Sequence, residues 1–240
     1  MPPSILTADN HSDVLTARMA PLTNVAGHAK RTLEPARPVG GLGKLLMDRC
    51  GAAVLLLLLA PLFLLVMLLI RRDGGAALFR HQRLGANGRM FPCLKFRTMV
   101  SDADKMLEHL LANDLAAAAE WHATQKLRRD PRVTNMGQFL RKTSLDELPQ
   151  LINVLKGDMS LVGPRPIVGA EIARYGSKIH QYYRARPGLT GLWQVSGRSD
   201  TSYVQRVELD VRYVATWTFW GDIVIVLKTI PAVLLHKGAI

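Results

Sequence analysis

The chain has 240 residues, a formal net charge of +12, 48% hydrophobic residues and two cysteines. That length allows one sizeable core, or a smaller core with membrane-embedded elements, and the charge calls for anionic partners: nucleic acid, lipid headgroups or phosphorylated substrates. Cys50 and Cys93 form no Cys-x-x-Cys pair and are too few for a disulfide framework, which excludes a disulfide-stapled secreted scaffold.

Residues 1–39 carry Pro2, Pro3, Pro21, Pro35 and Pro38 without sustained periodicity, and the segment is predicted to be mostly disordered. It lacks a basic region joined to an apolar core, so no secretory signal is expected. Residues 52–70 then run without a charge, long enough for a spanning helix. Lys44 and Arg49 precede this run and Arg71, Arg72, Arg80 and Arg83 follow it, so the positive-inside rule assigns neither flank to the far side. Pro61 removes a backbone hydrogen bond near the middle, and a bent helix can enter and leave a membrane by one face. Proline is also tolerated in spanning helices. The expectation is a re-entrant membrane helix, kinked at Pro61, within residues 40–72.

Asp73-Gly74-Gly75 reads as a turn, and the following residues as two short strands joined at Asn87-Gly88. Lys95 and Arg97, two apart, share a strand face and either meet solvent or line a site. From residue 101 to 127 the period turns helical, with Met106, Leu107, Leu110, Leu111 and Leu115 on one side, a pattern that predicts core packing.

Residues 139–166, FLRKTSLDELPQLINVLKGDMSLVGPRP, set Asp146 and Glu147 between arginines. Ser144 or Asp146 suits an N-cap and Pro149 a first turn, which predicts both acids at a helix N-terminus, where ionised carboxylates are favoured. Capping alone accounts for many Asp-Glu pairs. An ionised Asp is also a competent nucleophile towards phosphorus, and a neighbouring carboxylate suits Mg²⁺. Adjacent helix residues point about 100° apart, so one acid can attack while the other holds metal. Arg165, Arg186 and Arg198 stand on proline- or glycine-flanked backbone, which suits bidentate phosphate recognition. Leu148, Leu151, Ile152 and Leu155 continue a helical period that Gly157 can end.

Tyr175, Tyr182 and Tyr183 lie among Arg174, Lys178, Arg184 and Arg186, an arrangement that could stack single-stranded bases. No nucleic-acid module accompanies them, and the apolar segment argues against that partner. Trp217, Phe219 and Trp220 precede an apolar stretch broken by Lys228 and Pro231, which predicts an interfacial helix. Asp210 and Asp222 beside it read as caps or ion-pair partners, and His81, His109, His122 and His180 as structural or surface residues. Walker A, dinucleotide, His-Glu-x-x-His and Gly-x-Ser-x-Gly patterns are missing from the sequence.

Over residues 43–237 the chain resembles the bacterial sugar transferase family, the monotopic phosphoglycosyl transferases. The resemblance is carried by LLMDRCGA, LFRHQRLGANGRMF, LKFRTM, DPRVT, the stretch quoted above, RPGLTGLWQVSGR and LDVRYV. It implies transfer of a sugar 1-phosphate from a UDP-sugar to polyprenyl phosphate, with UMP leaving, at the start of exopolysaccharide or other lipid-linked glycan assembly. Asp146 is then the nucleophile, Glu147 the Mg²⁺ ligand, and Arg141 and Arg165 phosphate-handling residues, with Lys95 and Arg97 lining the site. Galactose and glucose are the leading sugars. Asn135 and Gln138 stand where the family pattern has basic residues, and Ala60-Pro61 where it often has Ser-Pro. The expected architecture is an α/β, mostly helical catalytic domain over residues 73–240, with a short strand pair, the re-entrant helix and interfacial amphipathic helices. It is expected on the cytoplasmic face of the bacterial inner membrane, with an oligomer compatible. The rival reading is a membrane-tethered basic scaffold that performs no catalysis.

Overall fold

The computed structural model describes residues 37–72, 74–124, 127–197 and 201–234. Residues 1–36 of the segment predicted to be disordered, together with Asp73 and Arg198, lie outside the described residues. The architecture is mostly helical, with short strand pairs and one long apolar helix.

Helix α1 (Gly41–Arg71) has 31 residues, about 46 Å at 1.5 Å per residue. Pro61 lies inside it without ending it. One stripe, spaced by three or four residues, meets protein along the whole length. Ala52, Leu56 and Leu59 pack with Phe91, Cys93, Leu151, Val154 and Met159. Leu62, Phe63, Val66, Met67 and Ile70 pack with Ala77, Phe96, Leu140 and Leu145. Leu57, Leu58, Leu64, Leu65 and Leu68 face outward and are more than half exposed. A helix apolar on every side but covered by protein on one carries an outer surface suited to lipid.

Strands β1 (Leu78–Leu84) and β2 (Met90–Phe96) pair antiparallel from Leu78↔Phe96 to Leu84↔Met90. Asn87 and Gly88 take the positive φ angles that a tight hairpin requires, 56° and 73°. The outer edge of β2 is closed by one side chain from α5 (Gln150–Lys156). Asn153 Oδ1 accepts from Leu94 N–H at 2.9 Å and its Nδ2 donates to the Pro92 carbonyl at 2.9 Å. These bonds satisfy edge groups that would otherwise be buried without partners.

The single helix expected over residues 101–127 is two, α2 (Ala103–Asn113) and α3 (Leu115–Thr124). Asp114 is extended, and its Oδ1 accepts from both Ala116 and Ala117 N–H at 2.9 Å. A capping carboxylate overrides the continuous apolar period, and Leu115 is left 88% exposed instead of joining the core. Helix α4 (Asn135–Lys142) is capped by Thr134 Oγ1 and lies so close to Thr98 that a Cβ on Gly137 would sit 2.0 Å from that carbonyl.

Asp146 and Glu147 occupy a short 3₁₀ turn, Leu145–Glu147, ahead of α5, so the expected placement in the helix's first turn is corrected by a few residues. Ser144 adopts a left-handed conformation, φ 58°, and makes no side-chain cap. Gly157 ends α5 in the left-handed region, φ 89°, as its position predicts.

A parallel pair not anticipated from the sequence, β3 (Ser160–Val162) with β4 (Gly188–Thr190), follows; three residues are too few to show alternation. Between its strands lie α6 (Ile172–Tyr175) and α7 (Ile179–Tyr183), and after it α8 (Leu192–Val195), α9 (Tyr203–Ala215) and α10 (Phe219–Leu234). Tyr175 and Tyr182 are core residues that donate to Asp210 Oδ2 at 2.7 Å and the Leu84 carbonyl at 2.8 Å. They are unavailable for stacking bases. Helix α10 leaves Phe219, Trp220, Leu227 and Ile230 exposed and turns Asp222 inward. Asp222 accepts from Lys44, from Tyr213 at 2.9 Å and from Trp217 Nε1 at 3.0 Å, while Asp48 accepts from Ser160 Oγ at 2.7 Å and Leu161 N–H at 3.2 Å. This polar knot joins the start of α1 to β3, α9 and α10.

Candidate active site

The 3₁₀ turn brings two consecutive carboxylates against the end of β2. Lys95 Nζ donates to Asp146 Oδ2 at 3.1 Å and to Glu147 Oε1 at 2.8 Å. Arg165, on the Gly-Pro-Arg-Pro turn after β3, places a guanidinium nitrogen 3.7 Å from Glu147 Oε1. Arg83, at the end of β1, donates to the Pro166 carbonyl at 3.4 Å and braces that turn. Arg83, Lys95, Glu147, Gln150 and Arg165 line one cleft, with Cys93 in its floor. Arg141 donates from Nε to Thr98 Oγ1 at 2.9 Å, and its charge reaches Asp146.

These surroundings push neighbouring acids in opposite directions. Burial raises the Asp146 carboxyl above its usual range, Lys95 opposes that rise, and the charge of Glu147 adds to it. Burial acts the same way on Glu147, but Lys95, Arg165 and Arg83 outweigh it and hold that carboxyl at about 2. Burial would lower the Lys95 ammonium, yet Glu147 and Asp146 keep it above the usual lysine range. The two carboxyls are thus pushed apart, Glu147 towards its ionised form and Asp146 towards its protonated form.

The donor set also fits Mg²⁺. That ion is usually held by one or two carboxylates together with substrate phosphates. Glu147 offers one such carboxylate, and among the described residues no group of three or more His, Cys, Asp or Glu forms an all-protein cage.

Of the residues singled out from the sequence, the structure therefore gathers Asp146, Glu147, Lys95 and Arg165, with Arg141 alongside. Arg97 turns elsewhere, donating to the Ile70 carbonyl at 3.0 Å and to Ser101 Oγ at 2.8 Å, so it ties the end of α1 to the strand that follows. Its own N–H still bonds the Ala77 carbonyl at 2.9 Å, so the side chain is drawn off by these partners rather than by a break in the strand pairing. Arg186 is half-buried near Asp48 and Arg49, away from the cleft lining. Arg198 lies outside the described residues, and Pro61 lies mid-way along α1. Arg83 and Gln150 were not identified from the sequence. The signal for Arg83 was the hairpin register, which carries alternate β1 residues along the face that holds Lys95.

Residues 40–236 match the bacterial sugar transferase family. The chain is 58% identical over 166 residues to the undecaprenyl-phosphate galactose phosphotransferase of Salmonella typhimurium, a match covering 69% of this chain and 35% of that protein. It is 53% identical over 204 residues to the exopolysaccharide production protein ExoY of Rhizobium meliloti, covering 85% of this chain and 90% of that one. It is 46% identical over 173 residues to the UDP-glucose:undecaprenyl-phosphate glucose-1-phosphate transferase of Caulobacter vibrioides, covering 69% and 59%. The chain thus spans about a third of the Salmonella relative and nine-tenths of ExoY. With the family's sequence pattern running through α1, the carboxylate turn and α10, the chain belongs to the bacterial sugar transferase family.

Proposed function

We propose that this chain is a phosphotransferase that moves a hexose 1-phosphate from a UDP-hexose to polyprenyl phosphate, the initiating step of exopolysaccharide assembly. The observation that carries the reading is the pair of consecutive carboxylates held by one lysine: Lys95 bonds both, and Glu147 lines a cleft with Arg83 and Arg165 while Asp146 lies buried beside it. A scaffold needs no such pair. The names of the Salmonella, Rhizobium and Caulobacter relatives point the same way.

In the proposed cycle an Asp146 carboxylate oxygen attacks the β-phosphorus of the donor. The bond from that phosphorus to the oxygen bridging to the α-phosphorus breaks, and UMP leaves. The phosphosugar is then an acyl phosphate on Asp146. An oxygen of polyprenyl phosphate attacks the same phosphorus, a lipid-linked diphosphate forms, and Asp146 is regenerated as a carboxylate. Lys95, Arg165 and Arg83 offset the negative charge that would otherwise repel an anionic nucleophile from a diphosphate. Glu147, ionised throughout, is the residue to hold Mg²⁺, which when bound neutralises phosphate charge.

The membrane anchor follows from the acceptor, whose phosphate sits at the headgroup level. A re-entrant course for α1 is supported by its two ends: Lys44 and Asp48 are bonded into one side of the domain, and the Ile70 carbonyl accepts from Arg97 of the same domain. A straight crossing would set the ends about 30 Å apart across the bilayer and draw Phe96 and Leu140 into it. The exposed aromatic edge of α10 supports an interfacial position for that helix on the same, cytoplasmic, face. Cysteine probes near Gly43 and Gly75 should both be protected from periplasmic reagent.

The deciding experiment omits the acceptor. Wild-type protein given Mg²⁺ and radiolabelled UDP-galactose or UDP-glucose should release UMP and retain label on the peptide containing Asp146. Turnover that requires donor and acceptor to be bound together, with no adduct, would favour direct displacement instead.

A further inference from the structure

The strand face that supplies Lys95 and Arg83 continues outward past the cleft. Residues two apart on a strand share a face, so Phe79, His81 and Arg83 align along β1, with Phe79 across from Lys95 and His81 across from Cys93. Phe79 is 52% exposed, His81 is exposed, and their rings lie 6.0 Å apart. An exposed aromatic pair beside the cations of a cleft fills no part of the core.

His81 has a defined chemistry there. Arg83 Nη2 lies 3.2 Å from His81 Nδ1, and because a guanidinium can only donate, Nδ1 accepts and the ring proton sits on Nε2. Partial burial, followed by the charges of Arg83 and Lys95, holds the imidazole below its ordinary range. It therefore offers one N–H donor directed away from Arg83.

We infer that Phe79 and His81 form the subsite for the hexose ring of the donor, Phe79 stacking on the C–H face of the sugar and His81 Nε2 donating to one of its hydroxyls. This rests on reading the cleft as the UDP-sugar site. A pyranose joined to the β-phosphate must lie within one residue's reach of the cations that hold that phosphate, and the Phe79 ring stands directly across the ladder from Lys95. The apolar C–H face of a pyranose matches an aromatic ring, and its hydroxyls need directed partners. A hydrogen-bonded hydroxyl discriminates between sugars more sharply than apolar contact, so His81 is the residue that distinguishes C4 epimers, while Phe79 serves both. The rival occupant of Phe79 is lipid, and the experiment separates the two.

The full chain in lipid nanodiscs is assayed for UMP release from UDP-galactose and UDP-glucose, with UMP as a sugar-free competitor. Phe79→Ala should raise KM for both donors about tenfold and leave inhibition by UMP unchanged, and Phe79→Tyr should restore KM. His81→Ala should narrow the kcat/KM preference for the better donor over its C4 epimer by about tenfold, the worth of one hydrogen bond. Unchanged KM in Phe79→Ala and an unchanged epimer ratio in His81→Ala overturn the inference while the cleft reading stands. Loss of vesicle flotation in Phe79→Ala without a change in KM overturns it in favour of lipid. If the wild type releases UMP from neither donor, the cleft reading falls and the subsite with it.

Discussion

Two places in this molecule combine one lysine with two carboxylates, and they differ in what else surrounds the acids. At the root of α1, Lys44 meets Asp48 and Asp222, exposed by 0 and 1%, and Ser160, Leu161 N–H, Tyr213 and Trp217 supply further donors. At the 3₁₀ turn, Lys95 meets Asp146 and Glu147, and Glu147 shares a small cleft with Arg83 and Arg165, where positive charge exceeds negative. The first group is saturated and holds helices together. The second retains unfilled acceptor capacity and a surplus of cations, the condition for binding an anion that brings its own charge. The two triads share a composition and differ in how far their acceptors are saturated.

The largest effect expected at either triad is on chemistry. Asp146→Asn should lower acceptor-free UMP release by at least about 10³-fold, since an amide oxygen is a poor nucleophile, while Glu147→Gln should recover part of its lost activity as Mg²⁺ is raised. Thermal unfolding of Asp146→Asn should stay near wild type, because its removal relieves burial of a charge. Asp222→Ala should show the reverse pattern, costing about 3–5 kcal/mol in denaturant unfolding by leaving buried Lys44 with only the more distant Asp48, at 3.6 Å, and orphaning the Tyr213 and Trp217 donors. Equal destabilisation by both variants would erase the distinction.

The pH dependence sharpens the contrast inside the reactive pair. Glu147 is held at about 2 against an ordinary 4.5, so its contribution to stability is fully present above pH 4.5 and is lost as pH falls towards 2. Asp146 is shifted upward, so protonation is easier in the folded state and its ionisation opposes folding as pH rises. The acid limb of single-turnover UMP release should therefore fall above the ordinary aspartate value of 3.8 and should disappear in the residual activity, if any, of Asp146→Asn. The smallest effect is reserved for Arg165→Lys. Retaining charge but losing the planar fork should reduce kcat/KM about tenfold, and a wild-type value would mean that charge suffices.

Local chemistry in the sequence announced a good part of this. Asn87-Gly88 specified the hairpin and Gly157 the end of α5, because each position demands a conformation few residues accept. The charge-free run gave α1, and the carboxylate pair stood out by its neighbours. What stayed hidden depends on contacts distant in the chain. Asn153 closing the β2 edge, the three-residue parallel pair and Arg83 at the cleft are decided by partners 59, 28 and 83 residues away. Arg97 shares the alternation of Lys95 in the sequence but is held by the Ile70 carbonyl and Ser101, the first of them 27 residues away. Asp114 shows a nearer failure, where one capping carboxylate defeats an apolar period.

Helix α1 supplies one wall of both cores that lie beneath the carboxylate turn, with Ala52 in one and Val66 and Ile70 in the other. On the proposed membrane placement, the bilayer would take part in folding. During synthesis α1 leaves the ribosome before any strand of the domain, and its outer face is apolar and suited to lipid. Phe91, Phe96, Leu140 and Leu151 are made later and must dock onto a helix already in place. A soluble fragment beginning at residue 74 would lack that template, so its hydrophobic faces would meet water and one another. On the proposed membrane placement, insertion of α1 and completion of these cores would be coupled, and folded protein would be confined to a membrane surface.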